Sequence, residues 1–213
     1  MKIGIIGAYG KAGSLILKEA LDRGIEVTAI VKDASKLADK TVKIIEKDLF
    51  DLKAEDIKDL DVLVNAISAP AGKENLYVDA GRFLTNLLKE VPHTRLIVVS
   101  GAGSLFVDED KKVRLYDTPD FPEAYLPTAR AMGASLIEME KSEGIKWTHL
   151  SPAAFFDPQG KRTGKYIKGK DNVIVNSKGE SYLSYPDLAV ALVDEIENGK
   201  HINERFTVVS EKE

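Results

Sequence analysis

The chain contains no cysteine, which excludes disulfides and thiolate metal sites. Histidine is scarce. The three residues, His93, His149 and His201, share no spacing that would gather them around a metal, and no metal site is expected. Long apolar runs are missing as well. The hydrophobic stretches are strand-sized and too short to cross a bilayer as helices, so no membrane association is expected. There is no excess of positive charge: 30 Lys and Arg stand against 34 Asp and Glu, a net charge of −4. That balance argues against a nucleic-acid partner. Met1-Lys2 leads straight into Ile3-Gly4-Ile5-Ile6-Gly7, which is too short and glycine-rich for the apolar region of a signal peptide. Cytoplasm is therefore the expected compartment. Neither internal repeats nor low-complexity segments occur.

What is present suits one domain. The 213 residues are 44% hydrophobic, enough for a sizeable core. Short β-branched runs alternate with longer helical patterns. Strands are expected at 2–6, 26–31, 42–46, 62–65, 96–100, 146–150 and 205–209. Helices are expected at 11–23, 74–90, 124–142 and 186–197. Near-continuous apolar strands between helices imply a mostly parallel sheet covered on both faces, a doubly wound α/β fold. Residues 101–122 and 151–184 break the rhythm. Both follow strands, which places them at the carboxyl edge of the sheet, where ligands bind in open α/β folds. The first reads as a lid. The second reads as a small C-terminal substrate lobe within a single domain spanning 1–213. The basic run 161–168 reads as a solvated loop.

The strongest motif is Gly7-Ala8-Tyr9-Gly10-Lys11-Ala12-Gly13, a G-x-x-G-x-x-G pattern between the first strand and the first helix. Gly7 permits the tight turn, Gly10 the approach of a pyrophosphate, and Gly13 close packing of helix on strand. The free N–H groups of the helix then face the phosphates. This is a dinucleotide-binding loop of the Rossmann type. The second strand ends in Lys32-Asp33. A cation there, helped by Lys11, can neutralise a 2′-phosphate, so NADP(H) is the preferred cofactor. Asp33 leaves NAD(H) as the alternative, because an acidic residue in that place can bond a ribose hydroxyl.

Further segments carry a family resemblance: Lys47-Asp48-Leu49, Asn65-Ala66-Ile67-Ser68, Val98-Val99-Ser100-Gly101-Ala102-Gly103-Ser104, and Trp147-Thr148-His149-Leu150-Ser151-Pro152-Ala153-Ala154-Phe155-Phe156. Arg162-Thr163-Gly164-Lys165-Tyr166, Ser184-Tyr185-Pro186-Asp187-Leu188-Ala189 and Arg205-Phe206-Thr207-Val208 complete it. Together they make the chain resemble an atypical short-chain dehydrogenase/reductase, within the NAD(P)H-binding, NmrA-like and NADH-flavin reductase group. The resemblance implies that Asp48 and Leu49 meet the adenine and that Asn65, Ala66 and Ser68 underlie the adenosine ribose. It also implies that Ser100 and Gly101 lie near the nicotinamide ribose and that Pro152 and Ala153 flank the nicotinamide.

One departure narrows the chemistry. Short-chain dehydrogenases that interconvert alcohols and ketones use Tyr-x-x-x-Lys. Here Tyr125 is followed at that spacing by Ala129, and Tyr116 by Asp120. The chain is therefore expected to reduce a small-molecule acceptor that asks less of the protein, a flavin, a quinone or a similar conjugated system. Phe155, Phe156 and Tyr125 are the candidate pocket residues and Ser100 the candidate catalytic one. The alternative is a non-catalytic NADP(H)-binding sensor of the NmrA-like type. A homo-oligomer is compatible with either reading.

Overall fold

The computed structural model describes all 213 residues. In chain order the elements are β1 (Lys2–Ile6), α1 (Lys11–Asp22), β2 (Glu26–Val31), β3 (Lys43–Glu46), α2 (Ala54–Ile57), β4 (Val62–Asn65), α3 (Leu76–Leu88), β5 (Arg95–Val99), α4 (Leu126–Glu140), β6 (Lys146–Ser151), β7 (Phe155–Asp157), β8 (Tyr166–Gly169), β9 (Tyr182–Ser184), α5 (Tyr185–Asn198) and β10 (Glu204–Ser210). Eight strands form one sheet in the order β3-β2-β1-β4-β5-β6-β10-β8. Every pairing is parallel except that of β8 with β10. The chain winds outward from β1 to β3 and then returns to β4 on the other side. That reversal makes a topological switch point at the carboxyl ends of β1 and β4.

Alternation along each strand sends side chains to both faces. Ile3 and Ile5 of β1 join Ile16, Leu150, Leu192 and Phe206 in a core under α1 and α5. Ile6 joins Leu63, Leu84, Leu96, Leu136 and Trp147 in a second core under α3 and α4. The strand β4 is buried at every position, as a central strand covered on both sides must be. This is the doubly wound fold expected from the strand–helix alternation.

Residues 151–184 hold more regular structure than their irregular composition suggests. β7 and β9 pair in parallel as a small separate sheet, and β8 closes the main sheet as an antiparallel edge. The reason they escape sequence reading is physical. β8 buries none of its four residues, so it lacks the apolar run that marks a central strand.

A buried ion cluster fixes the amino end of β5. Arg95 Nη1 donates to Glu195 Oε1 at 2.9 Å, and its Nη2 donates to the Glu195 and Ile196 carbonyls at the end of α5. The other Glu195 oxygen takes His201 Nδ1 at 2.6 Å. Burial disfavours the charged Arg95, and Glu195 opposes that effect. Removing Arg95 leaves the buried Glu195 carboxylate without its guanidinium, with His201 as its remaining partner. Arg95→Ala is therefore expected to lower unfolding free energy by about 3–5 kcal/mol in urea titration. A loss near zero would show that the cluster is dispensable.

Candidate cofactor and substrate site

The glycine loop crosses the switch point from β1 to α1. Gly7 sits at φ +78°, and an added Cβ there would lie 2.8 Å from the Ala66 carbonyl oxygen. A Cβ on Gly13 would collide with the Gly7 carbonyl, so only glycine lets α1 pack this close. Gly10 precedes α1 with no side-chain cap, and no acidic residue occupies the first turn. The N–H groups of Lys11, Ala12 and Gly13 have no partner within the protein. The start of α5 is the opposite case: Ser184 Oγ accepts the Asp187 N–H, and an acidic residue stands in the first turn. Of these two helix starts, α1 is the one open to an anion. Ala8 is buried beneath the loop, while Tyr9 is exposed above it.

At the end of β2, Asp33 caps the turn that follows. Its carboxylate accepts Ser35 N–H at 3.0 Å and Ser35 Oγ–H at 2.5 Å, capping a 3-10 turn at Ala34–Lys36. The Ser35 hydroxyl, followed by its N–H, holds the Asp33 carboxyl below its ordinary range. Lys32 pairs with Asp48 at 2.6 Å. Asp48 also caps the next 3-10 turn through Phe50 N–H at 3.0 Å, and the Lys32 bond keeps its pKa low. Leu49 is buried beside it. Sequence reasoning missed Lys36, whose Nζ lies 5.7 Å over the Tyr9 ring and 3.6 Å from Asp33. Its signal was its place in the turn that Asp33 caps.

Farther along the carboxyl edge, Asn65 is buried and accepts the Ile67 N–H at 3.4 Å, which shapes the Ala66–Ser68 turn. Ser100, Asn65, Tyr77, Met132, Ser135 and His149 line a pocket of about 10 Å³ between sheet and helices. That is close to the volume a single water occupies by the same kind of measure, so the pocket takes a small polar group and not a ring. His149 is wholly buried, with Nε2 unpartnered and Nδ1 3.5 Å from Ser151 Oγ. Pro152 and Ala153 are buried just beyond β6. A larger groove of about 480 Å³ between Leu52–Glu55 and α3 shares no residue with these segments.

The segment 101–122, expected as a lid, is tied down. Arg205 Nη1 donates to the Ser104 carbonyl at 3.0 Å and Arg114 Nη1 to the same oxygen at 2.8 Å. Both guanidinium groups lie over the Phe106 ring, at 4.7 Å for Arg114 and 5.8 Å for Arg205. Phe106 N–H reaches the Asp171 carbonyl at 2.8 Å, so the loop forms a fixed wall. The two candidate phenylalanines part company. Phe155 pairs with Tyr182 under Lys212 on one face of the small sheet. Phe156 stacks on Tyr185 with centroids 3.7 Å apart. Tyr125 is 67% exposed on a turn before α4. A Tyr-x-x-x-Lys spacing does occur at Tyr166 and Lys170, but not on a helix. Tyr166 donates to Asp194 at 2.6 Å, and Lys170 pairs with Glu204. Arg162 of the basic run is engaged by Glu19.

The model of the NAD(P)H-binding family matches residues 7–199. The uncharacterized protein YwnB of Bacillus subtilis (strain 168) is 63% identical over 213 residues, the whole of both chains. A Streptococcus pneumoniae TIGR4 structure, of a protein provisionally named an NADH-flavin reductase, is 42% identical with a TM-score of 0.94. The match covers 99% of this chain and 100% of that one. A Bacteroides thetaiotaomicron structure, of a protein provisionally named an epimerase, is 35% identical with a TM-score of 0.88. It covers 100% of this chain and 99% of its own. No helix is long and apolar enough to cross a membrane.

Two outcomes follow from the geometry. Gly13→Ala pushes α1 from β1 and is expected to weaken NAD(P)H binding at least about tenfold, or roughly 1.4 kcal/mol, with far-UV circular dichroism retained. Unchanged affinity in a fluorescence titration would show that the close packing is not needed. The second outcome concerns His149. Burial, with Arg205 adding, drives its pKa down to about 3 from 6.5. Between those values the unfolded chain binds a proton that the folded chain refuses. Stability therefore falls as pH drops below about 6.5, by up to about 1.4 kcal/mol per unit from this residue. Denaturant titrations from pH 7 to 4 are expected to show a shallower fall for His149→Gln.

Proposed function

Because the chain belongs to the NAD(P)H-binding family, we propose that it is an NAD(P)H-dependent oxidoreductase that reduces a flat conjugated acceptor such as a flavin or a quinone. The observation that carries this reading is the uncapped start of α1 at the switch point, with three unpaired N–H groups, next to a largely uncharged end of the edge at Ser100, Tyr77, Phe156 and Tyr185. The first feature suits a pyrophosphate. The second suits a planar ring laid against the nicotinamide, where the cofactor brings the hydride and the protein brings orientation. The Streptococcus pneumoniae relative, 42% identical, bears a reductase name that points the same way. The absence of a helical Tyr-x-x-x-Lys argues against routine alcohol oxidation.

NADPH is the favoured cofactor. Asp33 is engaged by Ser35 and by Lys36, whose ammonium lies over the Tyr9 ring. A 2′-phosphate placed there would take Lys36 as its counter-ion in competition with Asp33. In this reading Lys32 and Asp48 act together: the ion pair holds Asp48 toward the adenine and Lys32 toward the ribose. Ser100, buried beside the polar pocket, offers a hydroxyl to the carboxamide or the acceptor.

Nicotinamide fluorescence and absorbance test the reading together. NADPH is expected to bind more tightly than NADH, and Lys36→Ala to cost about tenfold in NADPH affinity, in the range of one charge-assisted hydrogen bond, while sparing NADH. NADPH oxidation is expected with FMN, FAD or a small quinone. Tight NADPH binding without oxidation of any acceptor would favour the sensor instead, and tighter NADH binding would reverse the cofactor assignment.

A further inference from the structure

Tyr185 opens α5 immediately after the Ser184 cap. Its ring lies on Phe156 with planes 15° apart, and Phe156 follows the Pro152–Ala154 segment at the carboxyl end of β6. The ring is thereby fixed at the same edge as the glycine loop and Ser100. Among the tyrosines, Tyr77, Tyr166 and Tyr182 have their hydroxyls bonded to Ala69 N–H, Asp194 and Asp157. The Tyr116 ring packs against Gly103 and Gly133, and Tyr125 stands out in solvent. The Tyr185 hydroxyl has no partner in the protein although its ring is held on one side by a stacked aromatic.

We propose that Tyr185 is the proton donor of the reductase described above: its hydroxyl bonds to a carbonyl oxygen of a quinone-class acceptor and protonates it as the hydride arrives. This rests on the reductase reading. The C4–H bond of NADPH breaks, and its electron pair and hydrogen pass to the conjugated ring of the acceptor. The negative charge gathers on the acceptor oxygen. An O–H bond forms there as the tyrosyl O–H breaks, and solvent returns a proton to the tyrosinate. NADPH is oxidised and the quinone is reduced by two electrons.

The environment suits a donor and not a base. Burial pushes the Tyr185 phenol up, and Tyr77 nearby pushes in the same direction, so the hydroxyl stays protonated at neutral pH. A lysine that would lower a tyrosine pKa for alcohol oxidation is missing at Tyr185 + 4, where the residue is Ala189. Phe156, itself packed against the core, holds the Tyr185 ring in one orientation and so fixes the direction in which the hydroxyl is presented.

Steady-state NADPH oxidation with a water-soluble naphthoquinone tests this, with NADPH affinity measured by fluorescence on the same samples. Tyr185→Phe keeps the stack on Phe156. It is expected to lower kcat by about 10²-fold, the scale of one lost oxyanion donor, with KM and NADPH affinity unchanged. Tyr185→Leu removes the stack too and is expected to raise KM in addition. If Tyr185→Phe turns over like the wild type while Tyr185→Leu is slow, the residue only stacks and the donor role is overturned. If the wild type oxidises NADPH with FMN or FAD but not with the quinone, the donor role is overturned and the reductase reading stands. If it binds NADPH and oxidises none with any of these acceptors, the reductase reading falls and the donor role falls with it.

Discussion

The close approach of α1 to β1 at Gly13 is the constraint from which the candidate site follows. With no room for a Cβ between Gly13 and the Gly7 carbonyl, the first helix begins against the end of the first strand. That places its amino terminus at the point where the sheet order reverses. A helix start ordinarily finds a capping side chain for its unpaired N–H groups. Here Gly10 supplies none, and the groups stay available. The same chain does cap α5, through Ser184 and Asp187, and α5 starts at the same edge. Of these two helix starts, the α1 side is the one left open to an anion.

Two buried arginines hold the geometry around this edge from different directions. Arg95 joins the amino end of β5 to the end of α5 through Glu195. Arg205, in register with His149 on the neighbouring strand, reaches up to Ser104 and Asp171. Burial disfavours the charge on both, and an acidic partner opposes that in each case. Such pairs add little stability over apolar packing of similar shape. Their consequence is positional. Arg205 turns residues 101–106 into a wall, and its positive charge helps keep His149 neutral.

Much of this was readable from residue order. Continuous apolar strands between helical patterns imply a parallel sheet, and the glycine spacing after the first strand implies the phosphate turn. Other features were hidden because they depend on contacts distant in sequence. Adjacent Phe155 and Phe156 look equivalent, yet a strand sends them to opposite faces, one to Tyr182 and one to Tyr185. The 101–122 segment looks mobile by composition, and only the guanidinium groups of Arg114 and Arg205 reveal its anchorage. Lys36 was overlooked because a lysine in a short turn is ordinarily solvated. Its meaning appears only when Asp33 is seen to cap Ser35 and Tyr9 to lie beneath the ammonium. Tyr166 and Lys170 carry a familiar spacing without its geometry, since a strand sends residues four apart along the edge instead of one helical turn up.

The carboxyl edge changes character along its length. Near the end of β2, Lys32 and Lys36 pair with Asp48 and Asp33, whereas Ser100, Tyr77, Phe156 and Tyr185 leave the far end uncharged. A dinucleotide has the same polarity, with its phosphates toward one end and an uncharged reduced nicotinamide at the other. In the proposed reaction, hydride transfer creates a positive nicotinamide beside a negative acceptor, and away from bulk water the attraction between those two charges is stronger. What the site must still supply is a donor for the acceptor's oxygen. A basic side chain with a titrating charge would compete with the nicotinamide for that anion, and His149 is kept neutral beside Arg205. A protonated phenol meets the need without adding charge, which is the chemical sense in a chain that retains a tyrosine at the mouth of α5 while lacking the lysine that would ionise it.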